Sequence, residues 1–216
     1  MKVAVLGTGM VGATIGSKLL ELGHSVKMGS RTAENEKGKA FAEKSPKASS
    51  GTFAEAAAFG EIIFNCTSGM ASLNALNLAG AANLKGKIIV DISNPLDSAS
   101  GMPPTLAVAN TSSLGEEIQK AFPDSKVVKT LNTIWCGIMV NPGMINGGDH
   151  HIFMSGNDAG AKGEVKEILK SFGWNEANIL DLGDITSARG TEMYLPLWLR
   201  LYGAKGTGAF NLKIVS

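Results

Sequence analysis

Along this chain, short blocks of continuous apolar residues alternate with stretches in which apolar positions recur every three or four residues. Val3 to Leu6 is an unbroken apolar run, and Met10 to Leu22 places Val11, Ile15 and Leu19, with Leu20 and Leu22, at helical spacing. The same pair then repeats. Ser25 to Met28 reads as a strand before a polar-faced helix at Ala33 to Lys44, and Lys47 to Ser50 as a weak strand before the Ala-rich helix Thr52 to Phe59. Glu61 to Cys66 is a further strand, followed by a small-residue helix from Ala71 to Leu84. Lys87 to Ile92 is another, a Pro-rich loop runs from Asn94 to Thr105, and a helix around Leu114 to Phe122 precedes a sixth strand at Lys126 to Leu131.

Strands that alternate with helices, several without internal polar positions, belong to a parallel sheet covered on both faces. Right-handed crossovers then give an α/β, doubly wound, Rossmann-type architecture. Gly143, Gly147 and Gly148 mark a linker at 141–149, so the expected division is a dinucleotide-binding domain over 1–148 and a small α/β domain over 149–216. The second part reads as a strand at His151 to Ser155, a helix at Ala159 to Phe172, a strand near Asn178 to Leu182 and a helix from Ile185 to Tyr202. Pro196 should kink or restart that last helix.

Gly7-Thr8-Gly9-Met10-Val11-Gly12 directly follows the first strand and opens the first helix, the context in which G-x-G-x-x-G binds a dinucleotide. Gly7 permits the tight turn, Gly9 lets a pyrophosphate approach the helix N-terminus, and Gly12 lets helix and strand pack closely, a contact Gly16 extends. A second cluster, Gly203, Gly206 and Gly208, follows a helix and reads as a helix stop.

The end of the second strand selects the dinucleotide. An NAD site places a carboxylate about 20 residues beyond the glycines. Here that region reads Val26-Lys27-Met28-Gly29-Ser30-Arg31-Thr32, with no carboxylate before Glu34. The Ser30 hydroxyl and the planar Arg31 guanidinium donate to a 2'-phosphate, and Lys37 or Lys39 adds charge, which points to NADP. Lys27 has no functional reading.

Composition narrows the partners. Lys and Arg number 20 against 19 Asp and Glu, so a net charge of +1 offers no footprint for nucleic acid or an anionic membrane. The chain opens on a strand and contains no long apolar span, which suggests a cytoplasmic protein with small-molecule partners. Cys66 and Cys136 form no C-x-x-C pair and are expected to be free thiols, with a strand lying between them. His150 and His151, read as strand neighbours, face opposite ways and do not chelate one ion, so no metal site is expected. His24 reads as a capping or surface residue.

With these features in place, the chain resembles the coenzyme F420-dependent NADP oxidoreductase family. The likeness runs through Gly23-His24, Gly29-Ser30-Arg31, Lys126-Val127-Val128-Lys129, Asn132-Thr133-Ile134, Leu180-Asp181-Leu182-Gly183 and Ser187-Ala188-Arg189. The same segments, with Leu195-Pro196-Leu197, are similar to the cytosolic reductase domain of the STEAP metalloreductases. Both resemblances imply hydride transfer between NADP(H) and a flavin or deazaflavin ring. Archaeal members that use F420 carry His-Thr-Ile where this chain has Asn132-Thr133-Ile134, which leaves FMN and FAD as alternative acceptors.

Ligands of open parallel sheets bind beyond the strand C-termini. That edge collects Cys66, Thr67 and Ser68, then Asn94 and Pro95, then Thr133 and Ile134 as cofactor-binding residues, with Asn132, Trp135 and Leu195 on the acceptor side. Trp135 reads equally as a platform for a flat ring or as a core aromatic. No side-chain acid or base is required when ring positioning supplies the catalysis, and no Lys or His is expected at a strand end where it would protonate an alkoxide. Two other readings stand beside this one: a reductase of a small carbonyl or imine, whose usual long helical C-terminal half is missing, and a non-catalytic NADP-binding redox sensor. A homodimer is a further expectation.

Overall fold

The computed structural model describes residues 1–99 and 101–215. In chain order its strands and helices are β1 (Lys2–Leu6), α1 (Met10–Glu21), β2 (Ser25–Ser30), α2 (Glu36–Ala42), β3 (Ala48–Thr52), α3 (Phe53–Phe59), β4 (Ile62–Asn65), α4 (Gly69–Ala79), α5 (Ala81–Leu84) and β5 (Ile88–Asp91). They continue as β6 (Leu96–Asp97), β7 (Thr105–Leu106), α6 (Leu114–Ala121), β8 (Lys126–Thr130), α7 (Cys136–Met139), β9 (Ile152–Gly156), α8 (Ala159–Ser171), β10 (Ile179–Asp181), α9 (Ala188–Met193) and α10 (Leu195–Lys205).

Eight strands form one sheet in the order β10-β9-β8-β5-β4-β1-β2-β3. All neighbours are parallel except β8 and β9, which are antiparallel. The chain order reverses between β1 and β4, and the crevice at such a switch point is where doubly wound sheets take ligands. The described residues after 148 build no sheet of their own. β9 and β10 extend the edge beyond β8, and two 3-10 turns at Pro142–Met144 and Asn146–Gly148 occupy the expected linker.

Alternate residues of each central strand enter two separate cores, which is why the strands read as unbroken apolar runs. Val3 and Val5 pack with Ile15, Leu19 and Phe41 on one face, while Ala4 and Leu6 pack with Ala56, Leu76 and Ile118 on the other. Burying a Val, Leu or Ile side chain stabilises by about 1.5–3 kcal/mol, so this two-sided burial supplies most of the driving force.

Several boundaries differ from expectation for local reasons. The helix expected at 71–84 breaks at Gly80, whose φ of +88° ends α4 before α5 begins. Asn35 accepts a hydrogen bond from the Gly38 amide, so α2 starts at Glu36 instead of Ala33. The loop after Asn94 contains the short antiparallel pair β6–β7. The helix expected over 185–202 begins as a 3-10 turn at Ile185–Ser187, becomes α9 and restarts as α10 with Pro196 in its first turn. Gly206, at φ +66°, stops α10.

His150 and His151 precede β9 and are not strand neighbours. Buried His150 donates from Nε2 to the Pro142 carbonyl and accepts at Nδ1 from the Asn211 amide, while His151 Nδ1 accepts from the Ile214 amide. Among the described residues no three His, Cys, Asp or Glu side chains are grouped to hold a metal. Cys66 and Cys136 are free thiols, on opposite sides of β5. Lys27 lies over the Phe59 ring, 5.7 Å from its centre.

The C-terminal helices are bolted to the sheet. Arg189 of α9 grips Glu116 of α6 through two hydrogen bonds, from Nε at 2.8 Å and Nη2 at 2.5 Å. Those bonds hold the Glu116 carboxyl below its ordinary 4.5 despite partial burial. Because the folded value is depressed, the stabilisation is present above the unfolded carboxylate range and is lost as pH falls through the lower folded value. Urea unfolding of wild type and Arg189→Met should therefore show a stability gap near neutral pH that narrows as pH falls below the ordinary carboxylate range. A gap independent of pH would mean that Arg189 acts through packing alone.

Candidate functional site

The site begins where β1 ends. Gly7 takes φ +111°, closed to ordinary side chains, and its amide donates to the Gly29 carbonyl of β2. α1 then opens at Gly9, whose N-cap position offers no side-chain hydrogen bond and whose first turn holds no acid. The leading amides of α1 thus face the groove with no protein side chain to satisfy them, and the space a Cβ at Gly9 would enter is open. At Gly12 a Cβ would stand 2.0 Å from the Gly7 carbonyl oxygen, so only glycine lets the helix seat against the turn. Gly16 instead makes room for the Phe41 ring of α2. An uncapped helix end with an open cradle fits a dinucleotide pyrophosphate.

From this turn a groove of about 680 Å³ runs toward the end of β2, lined by Thr8, Ser30, Arg31, Thr32, Asn35 and Ser68 among others. Arg31 is exposed and, among the described residues, makes no ion pair, so its guanidinium is available to an anion. Ser30 is 7% exposed and its hydroxyl donates to the Thr32 carbonyl, so in this structure that donor is already engaged. Lys37 does not line the groove, and Lys39 is paired with Glu34. The charged character of this end therefore rests on Arg31.

In the other direction the groove continues past Cys66, Thr67 and Ser68 into two recesses of about 210 Å³ each. Val11, Ile92 and Asn94 line both recesses, which makes them one trough across the switch point. Met10, Asn132, Thr133, Ile134, Trp135 and Leu195 line the farther one. Pro95 lines neither: it is buried, and its carbonyl accepts from the Ala107 amide beside the β6–β7 pair. Asn94 Nδ2 donates to the Asn132 carbonyl at 2.8 Å, and Asn132 Nδ2 donates to Asn94 Oδ1 at 2.9 Å. That reciprocal pair ties the loops after β5 and β8 together and fixes both amide orientations. The Trp135 ring packs against Gly137 and Gly208 and its surface lines the recess.

Sequence reasoning missed two contributors. Trp198 of α10 also lines the far recess, stacks between Tyr202 and Phe210, and among the described residues leaves its buried indole N–H without a partner. The second is Lys129, a buried lysine near the end of β8 to which the sequence reading gave no role.

Lys129 sits one residue before the end of β8, 1% exposed. Its Nζ contacts Asp91 Oδ2 at 2.7 Å, Glu192 Oε1 at 2.7 Å and the Ser93 carbonyl at 2.5 Å. Burial alone would drive the proton off, but the two carboxylates outweigh it and hold the ammonium above the ordinary lysine range. Asp91 and Lys129 are register partners on adjacent strands, so opposite charges in two apolar runs were the legible signal. All three ammonium protons are engaged and Lys129 lines no part of the trough, so it offers no proton to a ligand. Cys66 lines the trough, but burial and then the nearby Asp91 charge push its thiol well above the ordinary range, so it stays protonated.

The comparisons with known proteins agree with this geometry. Residues 2–95 match the family model of the coenzyme F420-dependent NADP oxidoreductases. A solved structure from Arthrobacter sp. FB24, provisionally assigned as an F420-dependent NADP reductase, superposes with a TM-score of 0.94 at 52% identity over the whole of both chains. The F420-dependent NADP reductase of Methanocaldococcus jannaschii is 33% identical over 129 residues, 58% of this chain and 56% of its own. Metalloreductase STEAP3 of Rattus norvegicus is 30% identical over 209 residues, 91% of this chain but 38% of its own. The chain thus spans little more than half of one curated relative and well under half of the other. No helix among the described residues is long and apolar enough to cross a membrane. With an open glycine turn on β1–α1, the exposed Arg31 just past the end of β2 and a whole-length match to the bacterial structure, the chain belongs to the F420-dependent NADP oxidoreductase family.

Proposed function

We propose that this protein transfers hydride between NADP(H) and a planar flavin or deazaflavin ring. The observation that carries the reading is the trough itself. One end presents Arg31 for a 2'-phosphate, the centre presents the open N-terminus of α1 for the pyrophosphate, and the other end is an apolar recess with amide edges.

When bound, the dinucleotide supplies the hydride. The chain's own residues orient the rings: Val11, Ile134 and Trp135 give apolar walls, and the Asn94–Asn132 pair keeps a rigid amide edge between them. Leu195 and Trp198, from the C-terminal helices, narrow the recess and exclude water. Hydride transfer between stacked rings needs reacting atoms about 3–3.5 Å apart, and positioning of this kind supplies most of the acceleration. Among the described residues no histidine, lysine or carboxylate lines the far recess, which disfavours reduction of a small carbonyl, where an alkoxide must be protonated.

NADPH oxidation measured side by side with F420, FMN, FAD and ferric chelates should show turnover with at least one tricyclic ring. Turnover with an aldehyde or imine, and none with any flavin or deazaflavin, would overturn the reading. Cofactor choice should follow Arg31. A charge-assisted bond contributes about 1.5–3 kcal/mol, so Arg31→Ala should weaken NADPH binding about 10- to 150-fold and leave NADH binding nearly unchanged. Equal weakening of both cofactors would remove Arg31 from the 2'-phosphate.

A further inference from the structure

The Asp91–Lys129–Glu192 cluster holds two carboxylates and one ammonium, a net charge of −1, with every member no more than 1% exposed. Other cations nearby are committed elsewhere: Arg189 to Glu116, and Lys126 to Asp158. Glu192 also accepts from the Leu114 and Gly115 amides at the start of α6, at 2.7 and 3.0 Å. A helix N-terminus carries only about half a unit of positive charge, so part of the negative charge survives.

That charge stands one hydrogen bond behind the trough wall. Asp91 Oδ1 accepts from the Ser93 amide and hydroxyl at 3.2 and 2.6 Å and from Asn65 Nδ2 at 2.8 Å. Asn65 Oδ1 in turn accepts from the Thr67 hydroxyl at 2.7 Å. Ser93, Asn94 and Thr67 line the near recess beside Cys66. The Cys66 thiol registers the same field, since the Asp91 charge adds to burial in keeping it protonated.

A nicotinamide ring changes charge as it reacts. When the C4–H bond of NADPH breaks with its electron pair, the hydride joins the acceptor ring, which then takes a proton from water, and the nicotinamide is left with a unit positive charge. We propose that the buried Asp91–Lys129–Glu192 cluster sets the redox preference of the nicotinamide site. It favours the cationic ring of NADP+ over the neutral ring of NADPH and so draws hydride off the cofactor. The proposal rests on the placement of the nicotinamide in the recesses beyond β4, β5 and β8. On that placement Asp91 and Glu192 are positioning residues that act through the field and never touch the cofactor.

The test is a pair of dissociation constants, for NADP+ and for NADPH, measured without any acceptor on wild type, Asp91→Asn and Glu192→Gln. Wild type should hold NADP+ more tightly than NADPH. Each variant neutralises one unit of charge and should weaken NADP+ about three- to thirtyfold relative to NADPH, the range of a charge acting through a partly shielded protein interior. A merely structural role would move both constants together, and an unmoved ratio in the variants overturns the proposal. If one variant fails to fold, the other and the order of the two wild-type constants decide, and a wild type that prefers NADPH also overturns it. Wild type that binds neither form removes the proposed function and this inference together, whereas binding with an unmoved ratio removes this inference alone.

Discussion

The working end of the molecule depends on one buried ammonium. Lys129 reaches from β8 to a carboxylate on β5, a carbonyl in the loop after β5 and a carboxylate on α9. Through Asp91 and Asn65 the same network reaches the end of β4. Taking such charges out of water is costly, and removing one partner of a buried pair costs about 3–5 kcal/mol because the other is left uncompensated. The network is therefore satisfied as a whole or not at all. Its consequence is that the loops carrying Thr67, Ser93 and Asn94, and the helix leading to Leu195, hold fixed positions relative to one another.

Topology explains why such a bolt is needed. In a doubly wound sheet the strand C-termini present loops from opposite sides of the switch point, and nothing in the sheet's own hydrogen bonding holds those loops together. Here the chain turns antiparallel at β9, extends the sheet through β10, and returns α9 against α6 and the end of β8. Glu192 and Arg189 then fasten α9 to the start of α6, and Glu192 also meets Lys129. The C-terminal segment thus closes one wall of the trough, and its contribution is as much electrostatic as steric.

Much of this was legible in the residues, for reasons that can be stated. The turn at Gly7, Gly9 and Gly12 was legible because Gly7 and Gly12 answer local steric demands and Gly9 leaves open space, and the doubly wound parallel sheet followed from the alternation of apolar runs with helical spacing. Arg31 was legible because a missing carboxylate at the end of β2 is itself informative. Ser30 lines the same groove, but its bond to the Thr32 carbonyl was not legible, because it depends on backbone geometry just beyond the strand. Pro95 and Lys37 share loop and helix with true lining residues, and sequence proximity cannot tell which side faces the groove. Trp198 was hidden by distance, since α10 meets Ile134 and Trp135 only through the path that β9 and β10 impose. The ion cluster joins residues 91, 129 and 192, and only its strand-paired half carried a signal in the sequence.

The central claim is that a dinucleotide lies along the trough from the end of β2 to the recess at Asn132 and Trp135. A crystal structure of the protein grown with NADP+ tests it most directly. The account predicts the 2'-phosphate against the Arg31 guanidinium, the pyrophosphate on the amides of Met10 and Val11, and the nicotinamide ring beside Val11 and the Asn94–Asn132 pair with one face open toward Trp135. A cofactor whose nicotinamide end leaves the trough for solvent, or whose 2'-phosphate lies away from Arg31, would contradict it.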